Sequence, residues 1–523
     1  TSSYSVTGVQ TCALPIWATR DSLPVIFFIQ DNNYAISVPR SQQTTGDSVY
    51  ELVMGYGNLH RHRLNGLDPL EVKKVVRHCV QRARKGEGPS LVVANTIRLA
   101  SHSSSDDQRK YREAGELEQE KQLDPLAQLA QQLIRSKLLS EIELARLQHE
   151  VKLEVENAAE QAEQSERPQQ ETISEHLFAP VDARLASPAA IKSDQAPVVL
   201  VDALNHALHE EMERNDKIVV YGEDVQDPKG GVFTVTKGLS SRFGTERVFN
   251  SPLAESSIIG TAIGMALAGF KPVVEIQFGD YIWTAMMQIR NEVATLRWRS
   301  NGAYSCPMVI RVAVGGYIHG ALCHSQNIEG FFAHLPGLYI VYPANAADAK
   351  GLLKQAMQMN DPALFLEHKG LYRQSYAIRP EPAEDYYLPF GPAAVVREGR
   401  HLTVLTYGMM VHKASVVSDR LRPQGTEVEV VDLRTLYPLD WGTIEASVSK
   451  TGKVLVLHED TLTAGFGAEI SALVADRAFH HLDAPVRRLA ARDLPVPYSH
   501  ELEEAVLPME SDIERTILEL IRY

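Results

Sequence analysis

The sequence predicts an α/β protein in which short parallel strands alternate with helices. Three observations support this fold class. Continuous apolar runs of strand length recur along the 523 residues, as in strands that are buried on both faces of a parallel sheet. Helical stretches separate these runs, and polar residues follow several of them. No apolar segment reaches the ~18 residues that a membrane span needs.

The first region shows this alternation most simply. Residues 24–29 and 90–94 are apolar runs, and we expect both to be strands. Between them, Asp68 and Pro69 begin a mixed apolar and basic stretch that ends at Arg84. Asp is a favoured N-cap and Pro a favoured first helical residue, so this pattern predicts a helix over 69–84.

A helical segment follows from residue 124 to about residue 164. Ser140 and Glu143 have the spacing of a capping box, and Leu144, Leu147 and Val151 recur at helical spacing. Residues 160–197 are rich in Gln, Glu, Ser, Ala and Pro. This composition predicts a mobile linker.

Two further α/β regions follow the linker. In the second region, apolar runs predict strands at 217–221, 272–277, 308–312 and 338–342. Helices are expected at 202–214, 258–270 and 346–359, the last of them capped by Asn345. The third region begins near residue 391 and has the size of one domain. Its predicted strands are 401–406, 427–431 and 453–457.

Composition excludes several classes of function. Lys and Arg total 52 and Asp and Glu total 66, which gives a net charge of −14. An acidic surface repels phosphate backbones, so we do not expect nucleic-acid binding. Because no apolar segment is long enough to span a bilayer, we expect no membrane association either. The cysteines form no close pair of metal-site or disulfide spacing, and we therefore expect a reduced, cytoplasmic protein. They are Cys12, Cys79, Cys306 and Cys323.

The first residues do not fit this pattern. Residues 1–17 lack the basic and apolar regions of a signal peptide and show no helical or strand period. They resemble translated sequencing-adapter read-through more than natural protein. We expect them to be a non-native leader and a genuine N-terminus to be missing.

Two polar clusters in the first region could carry chemistry. The first is Gln30-Asp31-Asn32-Asn33-Tyr34, which follows a predicted strand, where amide and carbonyl oxygens suit Mg²⁺. The second joins Arg98 and His102 in a polar loop, where a histidine can contact phosphate or move protons. The plain alternatives are an Asn-rich turn and a solvated loop.

Two more clusters lie in the second region. Glu255 precedes an apolar helix, where a carboxyl could be partly buried, with a raised pKa, and could hydrogen-bond a ring nitrogen. It could equally be an ordinary first-turn glutamate. His319 and His324 lie among small residues at 316–326, which allow close approach to a substrate, or they are structural histidines in a turn. We do not expect a Cys323–His324 pair, because adjacent side chains rarely point at each other.

Together these motifs resemble one family over residues 20–523. DNNYAISVP and IRLASHSSSDDQRKYR are similar to its alpha-subunit segments. GEDV, RVFNSPLAE, EIQFGDYI, HGALCHSQ, DLRTLYPLD and HEDTLTAGFGAEI follow in beta-subunit order. The chain resembles the thiamine-diphosphate-dependent first component of a 2-oxo acid dehydrogenase complex, with alpha and beta subunits fused. The resemblance implies thiamine-diphosphate-binding parallel-sheet modules, the first one incomplete, plus a transketolase C-terminal-like α/β domain.

The resemblance also implies roles for single residues. Asn32 matches the metal-binding asparagine, and Tyr34 the residue whose backbone carbonyl binds the same Mg²⁺. Glu255, His324 and His102 match the catalytic residues. The implied cofactor-binding residues are Gln30, Asn32, Tyr34, Arg98, His102, Leu253, Glu255, Gln277 and Tyr281.

The implied domains are the leader 1–17, the C-terminal part of the alpha-type module 18–120, a helical extension 121–165, a linker 166–197, the beta-type pyrimidine module 198–385 and the C-terminal domain 386–523. A GDG-type segment, which supplies a metal carboxylate in the family, is not found before Asn32. Asp31 and Asn33 also replace the usual residues. We therefore expect this chain to bind the cofactor poorly and to have little activity.

The implied activity is oxidative decarboxylation of a 2-oxo acid and transfer of the acyl group to a lipoyl group on the acyltransferase component. HGALCHSQ and EIQFGDYI favour branched-chain substrates over pyruvate. The alternatives are a pyruvate or acetoin dehydrogenase, a transketolase-like transferase, and an inactive fragment that only docks to the acyltransferase core. We also expect a homodimer.

Overall fold

A computed structural model describes residues 8–46, 48–180 and 195–523. These residues form two units, one that ends at Thr172 and one that runs from Ile173 to Tyr523. The helices of the first unit are α1 (Gly8–Arg20), α2 (Arg40–Gln43), α3 (Val49–Leu52), α4 (Pro69–Arg84), α5 (Ala114–Gln122), α6 (Pro125–Arg135) and α7 (Glu141–Gln164). Its strands are β1 (Ile26–Asp31), β2 (Tyr34–Ala35), β3 (Val38–Pro39), β4 (His60–Asn65) and β5 (Ser90–Asn95).

A three-stranded parallel sheet in the order β1-β5-β4 forms the centre of the first unit. Both faces of β5 are buried, because Leu91 and Val93 pack in one apolar cluster while Val92 and Ala94 pack in another. The two strands predicted in this region are therefore confirmed. β4 was not predicted, because its sequence HRHRLN begins with alternating histidine and arginine residues and contains no apolar run.

The helices predicted in the first unit are present, and two of them begin at the predicted N-cap residues. The Asp68 carboxylate accepts hydrogen bonds from the backbone N–H groups of Leu70 (2.9 Å) and Glu71 (3.2 Å) at the start of α4. Ser140 and Glu143 form the reciprocal capping box that begins α7. The described part of α7 buries no residue.

The segment predicted to be a leader is helical where the structure describes it. α1 continues through Pro15 to Arg20, although residues 1–17 show no helical period. Trp17 and Ala18 at its C-terminal end are buried. Residues 1–7 lie outside the described part of the chain, and the origin of the segment stays a prediction.

The second unit holds two large sheets. Its helices are α8 (Leu200–Arg214), α9 (Leu239–Phe243), α10 (Glu255–Leu267), α11 (Leu296–Arg299), α12 (Glu329–Ala333), α13 (Ala346–Gln358), α14 (Met409–Leu421), α15 (Trp441–Thr451), α16 (Phe466–Arg477), α17 (His500–Val506) and α18 (Glu510–Ile521). Its strands are β6 (Pro197–Val198), β7 (Ile218–Gly222), β8 (Val248–Asn250), β9 (Lys271–Ile276), β10 (Val309–Val314), β11 (Tyr339–Val341), β12 (Ala363–His368), β13 (Arg379–Pro380), β14 (Ala394–Arg397), β15 (Leu402–Thr406), β16 (Val428–Asp432), β17 (Thr435–Tyr437), β18 (Val454–Thr461) and β19 (Arg487–Ala491).

The larger sheet has seven strands in the order β17-β11-β12-β10-β9-β7-β8. Its strands run parallel except β17, which pairs antiparallel with β11. β17 comes from the third predicted region, so that region completes the edge of this sheet. The helix predicted at 258–270 begins three residues earlier, at Glu255, and ends at Leu267.

The smaller sheet has five strands in the order β14-β16-β15-β18-β19. The three strands predicted in this region are present as β15, β16 and β18. One apolar core extends from α8 and α13 on the larger sheet to α14 and α18 on the smaller one. The two sheets of the second unit are therefore packed as one body.

Part of the predicted linker lies on the second unit. The Trp298 indole donates a hydrogen bond to the Ile173 carbonyl (2.9 Å), and the rings of Phe178 and Tyr339 lie 4.4 Å apart. Residues 181–194 lie outside the described part of the chain. The predicted domain boundaries stay predictions. Among the described residues, no helix is long and apolar enough to cross a bilayer.

Candidate active site

The first group of candidate residues follows β1 in the first unit. The Asn32 amide oxygen accepts a hydrogen bond from the Tyr34 N–H (3.1 Å), and Asn33 has a left-handed φ of 67°. The Asp31 carboxylate binds Arg40 (2.7 Å). The side chain of Asn32 and the backbone of Tyr34 therefore lie in one tight turn at the carboxyl end of a parallel strand, where ligands commonly bind. Gln30, the preceding candidate, is exposed.

Arg98 connects this turn to the polar loop at residues 99–113. Its guanidinium donates hydrogen bonds to the Ile36 carbonyl (2.8 Å) and to the Tyr111 hydroxyl (2.6 Å). It also lies 5.5 Å from the ring centroid of Tyr34. Arg98 thus holds the Tyr34 segment and the loop together.

His102 lies exposed in that loop. Its backbone N–H donates to the Asp106 carboxylate (2.8 Å), which also accepts from the Tyr111 hydroxyl (2.7 Å). These two donors lower the pKa of Asp106. The backbone of the loop is fixed at His102, while the imidazole is left accessible to solvent.

In the second unit, the candidate residues collect at one edge of the seven-stranded sheet. Parallel strands β7, β8, β9, β10 and β12 all end there. The segments that contain Glu223, Glu255, Gln277, His324 and Lys369 follow these strand ends. Because carboxyl ends of parallel strands share an edge, this arrangement has the geometry of an α/β ligand site.

Glu255 is the first residue of α10 and is half-buried. Its carboxylate accepts a hydrogen bond from the Thr284 hydroxyl (2.9 Å). Glu223 lies buried close to it, and burial raises the pKa of Glu223 to about 7, with the charges of Glu255 and Asp224 adding to the effect. The Leu253 side chain, 84% exposed, is an uncovered apolar group two residues before Glu255.

His324 is held by two hydrogen bonds. Its Nδ1 lies 3.1 Å from the Gly320 carbonyl and its Nε2 lies 2.8 Å from the Tyr281 hydroxyl. Since a carbonyl can only accept, Nδ1 carries a proton, so in a neutral imidazole Nε2 is the nitrogen that can accept from the Tyr281 hydroxyl. Phe278 packs edge-on against the imidazole, with ring centroids 4.6 Å apart.

Gln277 lies apart from this histidine and binds the Asp224 carboxylate through its amide (3.0 Å). The structure therefore groups the second-unit candidates into a Tyr281–His324 pair, a Glu255–Thr284 pair and a Gln277–Asp224 pair. The first-unit candidates form their own group around Asn32, Tyr34 and Arg98.

The loop that carries His324 is anchored by the C-terminal part of the chain. The Glu459 carboxylate accepts from the Gly316 N–H (2.6 Å), and Glu503 binds His319 (3.0 Å). Gly315 has a φ of 89°, and a Cβ there would lie 2.3 Å from the His368 ring, so glycine is required at this position. Tyr317, His319 and Ala321 also have positive φ. His319 is thus a positioning residue in this structure.

Sequence reasoning missed two residues at this edge. Glu223 follows β7 directly, and Lys369 follows β12 directly. Burial lowers the pKa of Lys369 to about 7. Their position after strand ends is a signal that could have identified them, but their burial depends on the packing of the whole unit.

The residues present fit a charged, ring-bearing cofactor. Glu223 Oε1, Ser251 Oγ and Ser257 Oγ are buried and have no hydrogen-bond partner among the described residues. Such atoms cost free energy unless a ligand or water satisfies them. A nitrogen-rich ring would supply donors to these groups and to Glu255. In the first unit, Asn32 Oδ1 and the Tyr34 carbonyl are hard oxygen ligands of the kind that Mg²⁺ prefers.

Three family models match consecutive parts of the chain. The model described as "Dehydrogenase E1 component" matches residues 17–171. The models described as "Transketolase, pyrimidine binding domain" and "Transketolase, C-terminal domain" match residues 196–375 and 391–513. The 2-oxoisovalerate dehydrogenase subunit beta of Bacillus subtilis (strain 168) is 48% identical over 325 residues, which cover 62% of this chain and 98% of that protein. The chain belongs to the E1 components of the 2-oxo acid dehydrogenases.

Other members of this E1 family are nearly as similar. The 2-oxoisovalerate dehydrogenase subunit beta of Pseudomonas aeruginosa (strain PAO1) is 45% identical, over 58% of this chain and 90% of that protein. The pyruvate dehydrogenase E1 component subunit beta of Bacillus subtilis (strain 168) is 43% identical, over 63% of this chain and 100% of that protein. The E1-component match at residues 17–171 precedes the part shared with these beta subunits, as in a fused alpha and beta chain.

A solved structure shares the fold of the E1 beta part. It is described as "Split gene transketolase, inactive beta4 tetramer", with a TM-score of 0.51 and 22% identity over 62% of this chain and 98% of that one. The predicted α/β class, with transketolase-like pyrimidine-binding and C-terminal domains, is confirmed. The E1 family depends on thiamine diphosphate.

Proposed function

We propose that the chain decarboxylates a branched-chain 2-oxo acid and passes the acyl group to a lipoyl group of an acyltransferase component. The observation that carries the proposal is the half-buried Glu255 carboxyl at the sheet edge beside Glu223, whose pKa is raised to about 7. A buried carboxyl with a raised pKa, such as that of Glu223, can hold and release protons near neutral pH beside Glu255. Bound thiamine diphosphate would supply the electron-accepting ring that lets a 2-oxo acid lose carbon dioxide.

The second-unit residues act on the organic part of the cofactor and on the substrate. When thiamine diphosphate is bound, Glu255 would hydrogen-bond a nitrogen of the aminopyrimidine ring, and Thr284 holds the Glu255 carboxyl in place (2.9 Å). Leu253 offers an apolar surface to the ring. Gln277 and Tyr281 line the same edge. His324 moves a proton at Nε2 during acyl transfer, and the Gly320 carbonyl keeps that nitrogen free of its own proton beforehand.

The first-unit candidates, taken by themselves, are suited to a diphosphate group and its cation. Asn32 Oδ1 and the Tyr34 carbonyl would hold Mg²⁺, and the charge of the ion would neutralise a diphosphate. Gln30 and His102 are donors for the diphosphate. Arg98 fixes the loop that carries His102, because both ends of its guanidinium are already hydrogen-bonded to protein atoms.

Branched-chain substrates are favoured over pyruvate on the basis of sequence similarity. The chain is 48% identical to a 2-oxoisovalerate dehydrogenase subunit and 43% identical to a pyruvate dehydrogenase subunit from the same organism. The acyl acceptor is a lipoyl disulfide, which is reduced as the acyl carbon is oxidised and bonded to one sulfur. A net charge of −14 suits a basic docking domain on the acyltransferase partner.

The test is release of carbon dioxide from a panel of 2-oxo acids. The full chain is incubated with Mg²⁺, ferricyanide as electron acceptor and millimolar thiamine diphosphate, so that weak cofactor binding does not limit the rate. We expect 3-methyl-2-oxobutanoate to react faster than pyruvate. Glu255→Gln should lower the rate by at least about 100-fold, the lower end for a lost acid–base group.

Glu246→Gln is the matched control, because Glu246 is an exposed glutamate of the same unit. Its rate should equal that of the unmodified chain. Faster release from pyruvate would reject the branched-chain assignment. Equal rates for Glu255→Gln and the control would reject the role of Glu255.

A further inference from the structure

Three histidines of the first unit meet away from the candidate active site. His60 and His62 are two residues apart on β4, so their side chains lie on one face of the sheet. His78 on α4 faces them. Their ring centroids are 4.5 Å (His60–His62), 5.8 Å (His60–His78) and 5.9 Å (His62–His78) apart. We infer that these residues form a binding site for a divalent transition-metal ion, with Zn²⁺ as its ligand.

The ligand atoms are close enough to share one ion. One ring nitrogen of each histidine lies within 4.8 Å of the other two. Tetrahedral Zn²⁺ with Zn–N bonds of about 2.05 Å needs nitrogens about 3.3 Å apart. The exposed His78 can close this gap by rotation of its side chain. Three imidazoles leave one coordination position for water, which is an accepted zinc geometry.

One ring nitrogen of the three histidines makes no hydrogen bond to the described residues. His62 Nε2 is buried and has no hydrogen-bond partner there. A buried polar atom without a partner is rare in native structures. A bound ion would satisfy it.

The protonation states suit metal binding. Burial lowers the pKa of His60, with the charge of Arg82 adding to the effect. Burial also lowers the pKa of His62, and His60 and His78 contribute. Both rings are therefore neutral at pH 7, and a neutral imidazole has the lone pair that a metal needs.

The charged groups around the cluster are few. The charge of Arg82 on α4 acts on both His60 and His62, and Glu87 pairs with Arg82 (3.0 Å). Arg61 and Arg63 alternate with the histidines on β4 and project from the opposite face, where both lie over the Tyr50 ring at 5.0 and 5.3 Å. The cluster itself therefore presents nitrogen ligands to an incoming cation, and Arg82 is its one opposing charge among these groups.

The ligand type distinguishes this site from the proposed magnesium site. Imidazole nitrogens select Zn²⁺, Cu²⁺ or Ni²⁺, whereas Asn32 and Tyr34 offer hard oxygens that suit Mg²⁺. Excess Mg²⁺ should therefore fail to displace Zn²⁺ from the histidines. The inference does not depend on the proposed function.

The test is a titration of the tag-free full chain, stripped of metal with a chelator, with Zn²⁺ against a chromophoric indicator at pH 7.5. We expect one equivalent to bind in the presence of excess Mg²⁺. His62→Asn should weaken the affinity by about 10- to 100-fold or more, because even an outer-shell change can cost that much. His149→Asn, on the exposed surface of α7, should bind like the unmodified chain.

A second variant covers the case in which His62→Asn disturbs the fold. His78 is exposed, so His78→Asn should leave the circular dichroism spectrum unchanged and weaken Zn²⁺ binding. Binding should also weaken as the pH falls, because protons compete with the ion for imidazole nitrogens. Equal affinity in the unmodified chain, His62→Asn and His78→Asn, or displacement by Mg²⁺, would overturn the inference.

Discussion

Lys369 shows how the fold changes the chemistry of a single side chain. Its ammonium group is buried and has no hydrogen-bond partner among the described residues. The group lies 5.6 Å from the ring centroid of Phe278, which packs against His324. Burial lowers its pKa to about 7, although the charges of Asp280 and Glu459 oppose this shift. The amine therefore titrates near neutral pH at the edge of the candidate site.

We predict that Lys369→Met is stabilising at pH 6 and loses this advantage as the pH rises. The folded-state pKa of Lys369 is about 7, below its usual value of 10.5. Between these values the unfolded chain binds more protons, so the unmodified protein gains stability with increasing pH. The melting temperatures of variant and unmodified chain, compared from pH 6 to pH 9, check this.

Lys229→Met is the control for this comparison, because Lys229 is an exposed lysine of the same unit. Its melting temperature should follow that of the unmodified chain at every pH. A constant difference between Lys369→Met and the unmodified chain would show that the amine does not titrate in this range.

At the residue scale, motifs were more informative than local pattern. Asn32 and Tyr34 could be named because their segment resembles a family motif, and the turn that joins them is visible in the sequence as an Asn-rich stretch. Glu223 and Lys369 follow strand ends directly, but their burial could not be predicted, because it depends on residues that are distant in the sequence. The hydrogen-bond partner of His324 Nε2 could not be named either, because Tyr281 lies 43 residues away in the sequence.

At the scale of elements, the centre of the larger sheet holds an ion-paired triad. Arg311 on β10 binds Glu367 on β12 (2.7 Å) and Glu275 on β9 (2.7 Å). The Tyr372 hydroxyl donates to Glu367 (2.7 Å). All three charged groups are buried. The guanidinium therefore joins three adjacent strands beneath the candidate site.

We predict that Arg311→Met destabilises the protein by about 3–5 kcal/mol, the usual cost of breaking a buried ion pair. Glu275 and Glu367 would then be buried without a cation, and the pKa of Glu275 would rise further, because Arg311 now opposes that rise. Burial already raises the pKa of Glu275 with Arg311 present. Because the folded pKa would exceed the unfolded one, the loss should lessen as the pH falls toward 5. Urea unfolding at pH 5 and pH 8 measures this.

The triple variant Glu275→Gln, Arg311→Met, Glu367→Gln is the matched control, since it removes the charges together. It should recover much of the lost stability. If Arg311→Met loses the same free energy of unfolding at pH 5 and pH 8, the carboxyls do not take up protons and the account of the triad is wrong.

Strands and helices could be predicted where the pattern of apolar and polar residues reflects which of their faces are buried. The strands β5, β7 and β15 read as apolar runs because both of their faces are buried. The edge strand β4 has no apolar run, because one of its faces carries Arg61 and the other carries histidines. The antiparallel strand β17 was also missed, since three residues that pair with β11 leave no local signal.

At the scale of the molecule, the C-terminal region contributes to the candidate site as well as to a separate sheet. Glu459 and Glu503 hold the loop that carries His324, and β17 completes the larger sheet. The sequence predicted this region as a domain of its own. Its second role could not be foreseen, because contacts between residues 316–319 and 459–503 span more than 140 positions of the chain.

Acylation of a lipoyl domain tests the central claim most directly. The full chain is incubated with millimolar thiamine diphosphate, Mg²⁺, 3-methyl-2-oxobutanoate and an isolated lipoyl domain. The mass of the lipoyl domain is then measured by mass spectrometry. The account predicts a mass increase equal to the branched acyl group plus the hydrogen of the reduced second sulfur, and none without thiamine diphosphate. An unmodified lipoyl domain, together with transfer of a two-carbon unit between sugar phosphates, would contradict it.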